Sequence, residues 1–121
     1  MKANELRIGN KVLNDRCENT IFGIFERMAT LKTKQGNEIN AQVELLKPLE
    51  LTEYWLLKLG FKKIKSSYEE AETYDFFKGI IYLDMANTSI KINGVYALSF
   101  IPEYVHELQN LYFAITGDEL I

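Results

Sequence analysis

The single histidine of this 121-residue chain heads a helical row of groups that could recognise a partner. His106, Gln109, Asn110 and Phe113 stand at offsets of three, four and seven, which stacks their side chains on one helix face. Imidazole and carboxamide groups donate and accept hydrogen bonds, and a phenyl ring among them can anchor a contact. The face points away from the helix's main apolar stripe, so it is a candidate interaction face. The plainer alternative is that Phe113 widens the buried arc while the polar trio is solvated or caps nearby backbone. Catalysis through His106 is not expected. Cys17, the lone thiol, is remote in sequence, and no Gly-x-Ser-x-Gly elbow is present.

Two charged groups come next. Lys58, Lys62, Lys63 and Lys65, interleaved with Phe61 and Tyr68, form the basic run of the chain. On a sheet such a run could hold a single-stranded nucleic acid by phosphate contact and stacking. Lysines on an exposed edge strand also block pairing with other chains, which is their commoner use. Glu69, Glu70, Glu72 and Asp75 could hold a divalent cation or act as paired acids, yet their spacing lacks the alternating ligands and central glycine of a calcium loop. A solvated loop or strand edge explains them more simply. No glycine-rich phosphate loop, dinucleotide fingerprint or histidine-rich metal motif occurs, so no catalytic residue, metal or cofactor is expected.

Composition bounds what these groups can serve. Apolar residues make up 47% and charged residues 26%, as in an ordinary folded protein. Folding a chain of this length buries roughly two-thirds of its unfolded surface, so neither metal nor disulfide is needed. Residues 1–50 hold eight Lys and Arg against seven Asp and Glu, whereas residues 51–121 hold six against ten. Neither half has the positive field of a tight, sequence-independent DNA binder. With one cysteine and no apolar signal core or membrane-length run, a reducing cytoplasm is the expected compartment.

The elements that must position these groups follow from periodicity. Lys11–Leu13, Thr20–Phe25, Leu31–Lys34 and Glu38–Val43 read as four short strands, the last two joined at Gln35-Gly36-Asn37. They predict a small SH3-like β-barrel or a curled sheet over residues 1–47, with Ile39, Ala41 and Val43 inward. Pro48 marks a hinge. Leu51–Gly60 reads as a short helix capped by Thr52 and ended by Gly60, with Trp55 as the core anchor between the halves. Strands are expected at Phe61–Tyr68, Thr73–Phe77, Ile80–Met85, Thr88–Ile92 and Val95–Phe100. Asn93-Gly94 is the strongest hairpin signal, because a type I′ turn needs positive φ at both central residues. Residues 101–117 form the closing helix, with Pro102 in its first turn and Gly117 just past its end. The fold class is α+β: an all-β lobe at 1–47, then an antiparallel meander packed with two helices at 48–121, the two lobes forming either one shared core or two.

Three blocks carry a resemblance: Leu6–Val12, Leu51–Phe61 and Val105–Leu120. In these the chain resembles a family of short uncharacterised proteins of anaerobic gut bacteria, often in phage or mobile-element surroundings. That resemblance implies a bacterial setting and carries no reaction, cofactor or site residue. The missing catalytic constellation, the plain composition and the polar–aromatic face of the last helix give the expectation of a non-enzymatic accessory protein that binds another macromolecule, a protein or a second copy of itself in the first instance, with no membrane association. The alternatives are a nucleic-acid-binding module using the β lobe and the lysine-rich strand, and a structural protein that self-associates.

Overall fold

The computed structural model describes residues 1–66 and 73–121. The chain is α+β, with two antiparallel sheets and two α-helices among the described residues. It divides into two compact units, Met1–Glu50 with Glu103–Ile121, and Leu51–Pro102.

In the first unit β1 (Lys11–Asn14), β2 (Cys17–Phe25), β3 (Met28–Thr33) and β4 (Glu38–Gln42) lie in sequence order. Alternation decides which face is buried. Ile21 stands opposite Leu31, and Ile24 and Ala41 each stand opposite Ala29. Val12, Ile21, Ala29 and Leu31 are sealed from solvent together with Leu6, Val43 and Leu46. Each fully buried aliphatic side chain of this size contributes about 1.5–3 kcal/mol. Ile39 lies opposite Leu31 but stays 37% exposed, because β4 is an edge strand. The sheet is open and not the closed barrel that the strand pattern also allows. After a 3-10 turn at Val43–Leu45 the chain returns to the β1 edge at a single bridge, Leu13 with Lys47.

Of the two helices, α1 (Glu53–Lys58) lies in the second unit and α2 (Val105–Thr116) in the first. Helix α2 starts later than its periodicity predicts. Tyr104 remains extended and bridges Glu50, and the Val105 N–H donates to Leu49 O at 2.9 Å. Pro102 therefore precedes the helix instead of occupying its first turn. The Glu107 carboxylate accepts the Tyr104 N–H at 3.1 Å, and Gly117 ends the helix at φ +78°. These ties correct the division at residue 48. The closing helix belongs with the first sheet and not with the meander.

The second unit opens with α1 (Glu53–Lys58), where Thr52 Oγ1 accepts the Trp55 N–H at 3.4 Å. A five-stranded meander follows: β5 (Lys62–Lys65), β6 (Tyr74–Lys78), β7 (Ile81–Asp84), β8 (Ser89–Ile92) and β9 (Val95–Leu98), paired in that order. Asn93 and Gly94 take φ of +53° and +83°, as the hairpin between β8 and β9 requires. Phe76, Leu83 and Ile90 stand opposite one another on one face and are buried, as are Trp55, Leu56 and Leu59. That face turns toward α1, since Lys78 Nζ donates to Leu59 O at 2.9 Å and Lys63 pairs with Glu53 at 2.7 Å. No helix among the described residues is long and apolar enough to cross a membrane.

Candidate functional site

The polar row on α2 is a seam and not a free face. His106 is 4% exposed and Gln109 2%. Gln109 Oε1 accepts the Lys11 N–H at 2.8 Å, while its Nε2 donates to Gly9 O at 3.0 Å and Leu120 O at 2.8 Å. Asn110 Oδ1 accepts from Asn10 Nδ2 at 2.9 Å, and Asn110 Nδ2 donates to Glu5 O at 3.0 Å. Phe113 lies at the rim, 38% exposed, with the Arg7 guanidinium 3.9 Å above its ring. Arg7 also meets Glu119 at 2.5 Å. The expected exposure of this face is thus corrected, and the reason is backbone satisfaction. Gly9 N–H and Asn10 O already pair with Ile21, and the two amides serve Glu5 O, Gly9 O and the Lys11 N–H at the start of β1.

His106 stacks on Tyr104, with ring centroids 6.0 Å apart and planes 13° from parallel. Its Nδ1 is buried without a hydrogen-bond partner. Burial lowers its pKa below the usual imidazole value, against a partial opposing pull from Glu107 and Glu5.

The lysine run is split by the pleat. Lys63 and Lys65 stand on the α1 side of β5, with Lys63 Nζ 4.1 Å over the Tyr74 ring, whereas Lys62 stands on the other side. Lys58 leaves the sheet altogether and lies 4.7 Å over buried Trp55. The four do not form one patch. Glu69, Glu70, Glu72 and Tyr68 lie outside the described residues. Asp75 is 2% exposed, and its carboxylate accepts from Tyr82 Oη at 2.6 Å and from the Met85 N–H at 3.0 Å.

What sequence reasoning missed is the composition of the sheet's open face. Lys62 stands opposite Phe77, Phe77 opposite Tyr82, Tyr82 opposite Lys91, and Lys91 opposite Tyr96. One transverse row of cations and aromatic rings therefore crosses all five strands. Lys91 Nζ sits 5.3 Å from the Tyr82 centroid and 4.6 Å from that of Tyr96. A hollow of about 360 Å³ opens between Phe77, Tyr82, Lys91 and the turns at Gly79–Ile80 and Asn93–Gly94. The available signal was that Phe77, Tyr82 and Lys91 each neighbour a buried residue, Phe76, Leu83 and Ile90, on the same strand and so face the other side; Tyr96 joins them only through the register shift between β8 and β9.

Two carboxylates hold the tyrosines of the row in place. Beside the Tyr82–Asp75 bond, Asp84 accepts from Tyr96 Oη at 2.8 Å, from Asn87 Nδ2 at 3.0 Å and from the Asn87 N–H at 3.2 Å. Burial alone would raise the Asp84 pKa, but these hydrogen bonds and the Lys91 charge outweigh it and leave it below the usual value. Burial, followed by the hydrogen bond to Asp75, raises Tyr82 well above the ordinary phenol range. The Tyr96 phenol rises too, first through its bond to Asp84. Both hydroxyls keep their protons at neutral pH and are spent on carboxylates. What the row presents outward is therefore ring faces and ammonium groups. No family model, curated protein or solved structure matches the chain.

Proposed function

We propose that this protein is a non-enzymatic accessory protein that binds another macromolecule through the open face of β5–β9, in the phage or mobile-element setting that its resemblance implies. The observation that carries this reading is the transverse row Lys62–Phe77–Tyr82–Lys91–Tyr96. Aromatic rings with adjacent cations are the side chains that dominate recognition surfaces. The two tyrosines among them are oriented by buried carboxylates, so little of their side-chain freedom is lost on contact. The helix face that sequence periodicity offers for the same purpose is consumed by intramolecular hydrogen bonds. In the first unit, the bridge at Leu13 and Lys47 after a 3-10 turn supports an SH3-like course for the curled sheet, a scaffold around which contact surfaces are readily built.

The reading is tested by selecting ligands from random peptide and oligonucleotide libraries with the whole chain. The expected ligand loses binding to the Lys91→Ala and Tyr96→Ala variants and keeps it with Phe113→Ala. Ligands whose binding ignores the sheet-face substitutions would refute the assignment.

A further inference from the structure

We propose that the partner of this face is a single-stranded nucleic acid, an inference that rests on the reading just given. The argument is charge complementarity. Among the described residues Lys62 and Lys91 have no hydrogen-bond or ion-pair partner, so both ammonium groups are available to an anion. The two carboxylates lie beneath the same face and are turned to internal donors, although the Asp84 charge draws on Lys91 and lessens its pull on an anion. Asp75 is 2% and Asp84 3% exposed, and O–H and N–H donors occupy the oxygens of each.

Geometry agrees with charge. Lys62 on β5 and Lys91 on β8 are separated by three strand spacings, ~14 Å. Phe77 and Tyr82 lie between them, and Tyr96, 54% exposed, lies just beyond. A chain of phosphates touching both cations would carry its bases across the rings, and stacking accepts any base because each has a π-face. A duplex hides its bases and could use only the cations. Two lysines make a modest electrostatic contribution in a protein of net charge −3, so binding is sensitive to salt.

The test is fluorescence anisotropy with labelled oligo-dT, oligo-U and a duplex of equal length, titrated over a range of KCl concentrations. Expected is binding of the single strands at low ionic strength, with a log–log salt slope that falls by about 0.7 for each of Lys62→Ala and Lys91→Ala. Tyr96→Phe should retain affinity while Tyr96→Leu loses it roughly tenfold, about the value of one stacked base. Circular dichroism confirms that each variant is folded. Absence of oligonucleotide binding at low salt, or an unchanged salt slope in the double lysine variant, would overturn the inference. Peptides that bind through the face while oligonucleotides do not would end the nucleic-acid assignment and leave the binding reading standing. If neither ligand depends on the face, both readings fall.

Discussion

The side-chain amide of Gln109 holds the backbone of Lys11: its oxygen accepts the Lys11 N–H at 2.8 Å, ninety-eight residues away in sequence. The amide nitrogen completes the clamp on Gly9 O and Leu120 O. The segments Leu6–Val12 and Val105–Leu120, far apart in sequence, are thus two sides of one packed seam.

Replacing Gln109 should therefore act on stability. Gln109→Leu leaves one N–H and two carbonyl groups without their amide partner, at about 1 kcal/mol or more each. A loss of about 2–4 kcal/mol is expected in urea denaturation, with an unchanged m-value. A loss below about 1 kcal/mol would show that solvent or neighbours replace the amide, and the clamp would lose its significance.

Arg7 and Phe113 should couple. The guanidinium 3.9 Å over the ring predicts an interaction energy of about 0.5–1 kcal/mol in a double-mutant cycle of Arg7→Ala and Phe113→Ala. Raised salt should weaken the Arg7–Glu119 pair and leave most of the ring contact. Strict additivity of the two substitutions would refute the contact.

His106 makes stability depend on pH. Its folded pKa lies below the unfolded value of about 6.5, so the unfolded chain takes up the proton first. Its contribution is complete above that unfolded pKa and is lost as pH falls through the folded one. Denaturation midpoints should decline on acidification below about pH 6.5, and His106→Leu should flatten that part of the profile. An unchanged profile in the variant would place the titration elsewhere.

Tyr96→Phe should raise the Asp84 pKa toward its ordinary range, because one of three hydrogen-bond donors is removed. Carboxylate carbon NMR titration reads this directly. With Asp84 depressed in the native protein, its stabilisation is present above the unfolded pKa of about 3.9 and fades as pH falls through the folded value. The variant should lose less stability across that acid window. An unmoved Asp84 resonance would show that the hydroxyl bond does not control it.

Much of the fold was legible because short-range rules govern it. The strands around Val12, Ile21, Leu31, Phe76, Leu83 and Ile90 follow from alternation, and the turn at Asn93-Gly94 from the need for positive φ. The turn between β1 and β2 was hidden. Asp15 and Arg16 adopt φ of +47° and +68° without a glycine, a conformation imposed by the paired strands and not advertised by residue type. The helix capped by Thr52 was legible in the same local way.

The amino-acid sequence alone determined the antiparallel α+β class and the succession of the strands, because residues two or four apart on one element carry that information, whereas the exposure of Ile39 was decided by the edge position of β4. Tertiary structure decided which polar residues are used internally and which remain for a partner. Gln109 and His106 match the pattern of a solvated face, yet backbone groups of the Gly9–Lys11 segment draw the amide inward. Lys62, Phe77, Tyr82, Lys91 and Tyr96 lie on five different strands and become one row only through pairing register. Register couples residues far apart in sequence, and helical or strand periodicity within a single element cannot express it.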